Sequence, residues 1–188
     1  MKLTSRNVLF ALLALASVGL IASGVLAVEG PAPAGEVKLI PVKWEAYLAE
    51  IASHNSAKLV VVDAWATWCG PCMANFPHLV EMHRKYSDKG LVAISLSLDE
   101  ADLPKKVAAA TAFLKEKKAT FTNLILEAAN DEAAFDKLNI GAIPAVFVYG
   151  PDGKEIKRFT MDDPKDQFTY EQVEAFVKDY LDGKGPKK

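Results

Sequence analysis

The tetrapeptide Cys69-Gly70-Pro71-Cys72 holds the only two cysteines of the chain, and it lies between an apolar run and a segment of helical spacing. Upstream, Leu59, Val60, Val61 and Val62 predict a buried strand, because short runs of β-branched residues suit a sheet covered on both faces. Beyond Cys72 the spacing becomes helical. A thiol pair at a strand-to-helix junction is a redox device before it is anything else.

The junction supplies the chemistry. The first thiol faces the unpaired N–H groups and the positive end of the helix dipole, which favour thiolate and lower a thiol pKa from about 8.5 into a range of roughly 3.5 to 7.5. Cys69 is therefore the expected nucleophile. Cys72, three residues on, lies on the same side of the first turn and is placed to resolve a mixed disulfide at Cys69. Pro71 has no N–H to leave unpaired, and its fixed φ suits a first helical turn.

Other uses of the pair fit less well. A structural staple closed over so few residues removes little entropy from the unfolded chain. A zinc site needs four ligands and would have to recruit from His54, His78 and His83, of which the last two are five apart and off a common helix face. No metal site is expected. A peroxidatic cysteine would follow a Pro-x-x-x-Thr-x-x-Cys pattern, and valines at positions 61 and 62 stand where that proline would fall.

Residues 60–72, Val-Val-Val-Asp-Ala-Trp-Ala-Thr-Trp-Cys-Gly-Pro-Cys, closely resemble the active-site strand and turn of thioredoxins. Residues 73–79, Met-Ala-Asn-Phe-Pro-His-Leu, resemble the TlpA/ResA-type thiol-disulfide oxidoreductases of that superfamily, which often carry a glutamate where this chain has Asn75. A second match, Gly-Ala-Ile-Pro-Ala-Val-Phe-Val at residues 141–148, resembles the cis-proline loop that packs against the cysteines. Physical chemistry supports that placement: a proline opening an apolar strand gives no ladder N–H, and X-Pro is the one bond at which cis is inexpensive. The resemblance extends over roughly residues 37–182.

It implies roles residue by residue. Asp63 stands six positions before Cys69 in an otherwise apolar strand, where burial raises a carboxyl pKa; thioredoxins have a buried aspartate there, thought to exchange a proton with the second thiol, so Asp63 is the expected acid-base partner of Cys72. Substrate contact is expected from Trp68, Gly70, Pro71, Ile143 and Pro144. In relatives, the backbone before the cis-proline pairs with an extended peptide, a short form of strand addition. A Cys69–Cys72 disulfide is the expected oxidised state.

The N-terminus points outward from the cytoplasm. Lys2 and Arg6 precede an uncharged stretch at residues 7–28, long enough to cross a bilayer and flanked by basic residues on the side that stays in the cytoplasm. Small residues up to Ala27 suit cleavage, so residues 1–28 are expected to be a signal peptide or a membrane anchor. Membrane contact would come only from residues 8–28, if uncleaved. No cysteine lies nearby for lipid attachment. Gly30, Pro31, Ala32, Pro33, Ala34 and Gly35 mark a linker at residues 29–36, and a thioredoxin-like domain is expected over residues 37–184. Cleavage would leave a net charge of about −4, since Lys2 and Arg6 are lost from the full chain's 22 basic and 24 acidic residues. With no basic run interleaved by aromatics, nucleic-acid binding has no support.

Between the motifs, Trp44, Tyr47, Leu48 and Ile51 predict an amphipathic helix after a short strand in residues 37–42. The motif helix runs through Pro77, carrying His78 and His83 as ordinary packed or solvated residues, and residues 91–98 form the next strand. Pro104 opens a helix with an apolar face of Val107, Ala110, Thr111 and Leu114, followed by a strand in residues 121–126 and a short helix with Ala134, Phe135 and Leu138. Gly150 to Gly153 make a hairpin turn into a strand at residues 154–160. Thr169 and Gln172 have capping-box spacing before a helix with a stripe of Val173, Phe176, Val177, Tyr180 and Leu181. The fold class is α/β, thioredoxin-like: a central mixed sheet with helices on both faces and an added helix-strand unit before the cis-proline loop.

The expected function is extracytoplasmic thiol-disulfide exchange, reducing disulfide-bearing envelope proteins such as apocytochrome c. Electrons would come from a membrane thiol reductase, and no cofactor is required. A disulfide oxidase or isomerase of the same fold is the enzymatic alternative, and a binding module with little turnover is the alternative of another class.

Overall fold

A computed structural model describes residues 35–185. The expected leader or anchor at residues 1–28, and the linker up to residue 34, lie outside them. Among the described residues the chain runs β1 (Ile40–Val42), α1 (Trp44–Ser53), β2 (Leu59–Trp65), α2 (Gly70–Tyr86), β3 (Leu91–Ser97), α3 (Pro104–Glu116), β4 (Thr122–Leu126), α4 (Asp131–Leu138), β5 (Ala145–Tyr149), β6 (Glu155–Phe159) and α5 (Tyr170–Leu181). The six strands form one sheet in the order β1-β4-β3-β2-β5-β6. Strands β1 to β4 pair in parallel, whereas β5 is antiparallel to β2 and β6 to β5. The unit α3–β4 is the added helix and strand expected before the proline loop, and β4 inserts between β1 and β3.

Helices on both faces explain why β2 is buried along its whole length. Its even-numbered residues Val60, Val62 and Ala64 pack toward α1 and α4, with Tyr47, Ile51, Ala134 and Leu138. Val61 and Trp65 pack on the other face toward α2, α3 and α5, with Cys72, Phe76, Leu114, Tyr170 and Val173. Side chains alternate along a strand, so Asp63 shares the second face. There Trp65, Phe76 and Phe113 form an aromatic triangle with centroids 5.0–5.2 Å apart, each edge contributing about 0.5–1.5 kcal/mol beyond its buried area.

Three local expectations hold and two are corrected, one being the face of α3, where Phe113 is buried with Ala110 and Leu114 while Val107 and Thr111 are half-buried. Helix α2 continues through Pro77, the capping box of Thr169 and Gln172 is formed at α5, and Gly150 to Gly153 turn β5 into β6. Leu48, expected on the buried stripe of α1, is instead 44% exposed, while Tyr47 and Ile51 alone of that stripe are fully buried.

Candidate active site

The end of β2 and the start of α2 are joined by a short loop that the fold clamps from several sides. Leu98 N–H donates to the Trp65 carbonyl at 2.8 Å, and Cys69 N–H to the Ala66 carbonyl at 3.1 Å. Asp99, 1% exposed just past β3, accepts from the Thr67 N–H at 2.9 Å, from the Thr67 hydroxyl, and from the Ser97 hydroxyl at 2.9 Å. The carboxyl group thus fixes Thr67, two residues before Cys69.

Cys69 is the N-cap of α2 and Pro71 lies in the first turn. The Cys69 sulfur accepts the Cys72 backbone N–H at 3.2 Å, which satisfies one of the donors that a helix start leaves unpaired. The two cysteines form a disulfide with Cα atoms 5.3 Å apart. Cys69 keeps 6% of its surface and Cys72 only 1%, while Gly70 and Pro71 are exposed. Trp68 is 44% exposed at the rim, in contrast to the fully buried Trp65.

The second motif arrives at the same place. The Ile143–Pro144 peptide bond is cis, and the Ile143 carbonyl oxygen lies 3.7 Å from the Cys69 sulfur. Pro144 immediately precedes β5, whose pairing with β2 puts Ala145 opposite Ala64. Ile143, Trp68, Gly70 and Pro71 therefore surround or adjoin the more accessible sulfur.

Asp63 is buried beneath this surface, 1% exposed, with Ser95 and Val146 as its neighbours across β3 and β5. Burial pushes its carboxyl up to about 7, opposed by a hydrogen bond from Tyr170 that lowers it. The Tyr170 hydroxyl lies 2.9 Å from one carboxyl oxygen and 3.0 Å from the other. Burial and the neighbouring Asp63 raise the tyrosine's own pKa. No residue was expected in this role. A signal was nonetheless present: Tyr170, Val173 and Val177 stand at helical spacing, which extends the buried stripe of α5 back to its first residue.

The remaining polar candidates do not enter the site. Asn75, where relatives often have glutamate, donates its amide to the Pro71 carbonyl at 2.9 Å in its own helix. His78 stacks on the Tyr170 ring at 5.4 Å, and His83 meets Phe121 edge-on at 5.2 Å, with burial lowering its pKa. His54 contacts Glu50 at 3.0 Å on α1. Among the described residues no three His, Cys, Asp or Glu side chains converge as a metal site.

Residues 37–176 match the Redoxin family. The thiol-disulfide oxidoreductase ResA of Bacillus cereus (strain ATCC 10987 / NRS 248) is 30% identical over 121 residues, covering 64% of this chain and 62% of that protein. ResA of Bacillus thuringiensis (strain Al Hakam) is 28% identical over the same shares. The chain thus spans 62% of the length of these relatives. Among solved structures, a Chlorobium tepidum protein named as a thiol:disulfide interchange protein DsbE superposes with a TM-score of 0.53 at 27% identity, covering 69% of this chain and 84% of that one. A second thiol:disulfide interchange protein of Chlorobium tepidum TLS, from the thioredoxin family, gives a TM-score of 0.53 at 19% identity over 69% and 83% of the two chains; at that identity the likeness concerns the fold.

Proposed function

The chain belongs to the Redoxin family and has the thioredoxin fold, and from that premise we propose that it is a thiol-disulfide oxidoreductase that reduces protein disulfides outside the cytoplasm. The observation that carries this reading is the Cys69–Cys72 disulfide at the N-terminus of α2, with the Asp63 carboxyl buried on the same face of β2.

Reduction begins with the dithiol form. The Cys69 thiolate attacks one sulfur of the substrate disulfide; a Cys69–substrate bond forms, and the first substrate thiolate leaves and takes up a proton. Asp63 accepts the Cys72 proton, the Cys72 thiolate attacks the Cys69 sulfur, and the second substrate thiolate departs and is protonated. Two electrons pass to the substrate, and the enzyme is left with the disulfide seen here. An extended substrate segment is proposed to lie along Ile143 and Pro144, between Trp68 and the Gly70-Pro71 turn, using backbone pairing as its main attraction.

The proposed setting is the cell envelope, supported by the basic start and the uncharged stretch at residues 7–28. Substrates are disulfide-bearing envelope proteins, apocytochrome c among them, and electrons come from a membrane thiol reductase. The test is the reduction potential of the Cys69–Cys72 couple in glutathione and dithiothreitol buffers, with insulin reduction measured alongside. A potential near the reducing thioredoxins, about −270 mV, with insulin turnover, supports the reading. A potential near −120 mV would make the protein an oxidase, and no exchange in either direction would make it a binding module.

A further inference from the structure

The buried carboxyl of the site is held by a residue more than a hundred positions away. Asp63 lies in the central strand β2, with Ser95 on β3 and Val146 on β5 as its register partners, Cys72 on α2 and Tyr170 on α5 in the core on the same face of the sheet, and His78 on α2 stacked on the Tyr170 ring. Ser95 is committed elsewhere, donating to the Asn123 side chain at 2.8 Å. His78 stacks on the tyrosine ring rather than meeting the carboxyl. The Tyr170 hydroxyl is the hydrogen-bond partner of both carboxyl oxygens, at 2.9 and 3.0 Å.

Its placement is over-determined. Tyr170 is the first residue of α5, directly after the N-cap Thr169 and inside the capping box that Thr169 forms with Gln172 to fix the helix start. Its ring is 3% exposed, stacked by His78 at 5.4 Å and tilted against Phe168 at 5.5 Å. A phenol locked in this way loses little further freedom when it bonds to the carboxyl.

We propose that Tyr170 is a positioning residue for disulfide exchange, whose hydroxyl holds the Asp63 carboxyl through both of its protonation states and thereby governs the step in which Cys72 gives up its proton. A phenol suits the task because it can donate one hydrogen bond and accept others. It donates to the carboxylate while Asp63 waits to act as base. Once Asp63 has taken the Cys72 proton, the phenol oxygen can accept from the new carboxylic O–H, so the pair stays joined. Without it, a buried carboxylate would have no partner for its charge, and Asp63 would hold its proton through neutral pH, where it could not serve Cys72 as a base.

This inference rests on the thiol-exchange reading, and its test separates the two. The carboxyl carbon of Asp63 is titrated by NMR in the full chain, oxidised and reduced, for the native protein and for Tyr170→Phe, and insulin reduction is followed across pH. Loss of the hydroxyl is expected to move the Asp63 midpoint up by about 1–2 pH units, to slow insulin reduction at pH 7 about tenfold, and to leave it near native at high pH. In an Asp63→Asn background the same substitution should no longer change the pH profile. 3-Fluorotyrosine installed at position 170 preserves shape but is a stronger donor, and should move the midpoint down; it decides the matter even if Tyr170→Phe does not fold. An unmoved midpoint in either variant, or a rate loss equal at every pH, overturns the role of Tyr170. If instead the native protein exchanges no disulfide at any pH, the functional reading fails, while the two midpoints still decide whether Tyr170 controls Asp63.

Discussion

The Cys72 backbone N–H points at the Cys69 sulfur across 3.2 Å, so the second cysteine stabilises negative charge on the first before any side-chain chemistry begins. The relation is one-sided: Cys69 sits at the helix start with its donors and dipole, whereas Cys72 is 1% exposed among core side chains, where burial favours the neutral thiol.

That asymmetry predicts the alkylation pattern of the reduced protein. Cys69 should react with iodoacetamide with an apparent pKa at or below about 7.5, and Cys72 should remain largely unlabelled until near pH 9. Mass mapping after brief labelling checks this. Preferential modification of Cys72 would reverse the assignment of nucleophile and resolver.

The same order of events predicts which single-cysteine variant traps substrate. Cys72→Ser retains the attacking thiolate and loses the resolving step, so mixed disulfides should accumulate; Cys69→Ser should trap none. Non-reducing gels of envelope fractions distinguish them, and equal trapping by both, or by neither, would argue against turnover.

Much of this arrangement was legible in the chain because it is local. The strand, the cysteine pair and the helix follow one another within residues 59–86, and each is marked by composition or spacing. The proline loop was legible through the resemblance of residues 141–148 taken together with the cysteine motif, since a proline that opens an apolar strand is by itself more often trans. What escaped was contact between distant segments: Asp99 bonding Thr67 from the end of β3, and Tyr170 reaching Asp63 from α5. Neither aspartate nor tyrosine carries a local mark of its partner, since that depends on how strands are ordered in the sheet. Leu48 shows the converse, an apolar residue at helical spacing that stays exposed while Tyr47 and Ile51 beside it are buried.

The Asp99 contacts predict a loop variant. Asp99→Ala removes the acceptors for Thr67 and Ser97, leaving the buried Ser97 hydroxyl and the two part-buried Thr67 donors without that partner, at a cost of about 2–4 kcal/mol. Asp99→Asn, which keeps one oxygen, should lose less. Urea melts of both variants check the order, and an Asp99→Ala protein within about 0.5 kcal/mol of native would show that the loop is held by other bonds.

Asp63→Asn couples stability to mechanism, and the sign follows from the direction of the shift. Burial raises the folded-state carboxyl from 3.8 to about 7, so between those pH values the native protein holds a proton that the unfolded chain has released. Stability must then fall as pH rises from about 4 to about 7, by up to about 4 kcal/mol, and level off above. An amide at this position has no proton to lose. Relative to native, Asp63→Asn should therefore be near-equal at pH 4 and progressively more stable toward pH 8, because the cost of burying a charge is gone. Its chemistry should move the opposite way: with no base for Cys72, resolution of the mixed disulfide slows near neutral pH and recovers at higher pH, where the thiol ionises unaided. Urea melts at pH 4, 6 and 8 and disulfide-reduction rates over the same range measure both. Normal turnover at pH 7 would remove Asp63 from the mechanism, and a variant less stable than native at pH 8 would make it a structural hydrogen-bond acceptor for Tyr170.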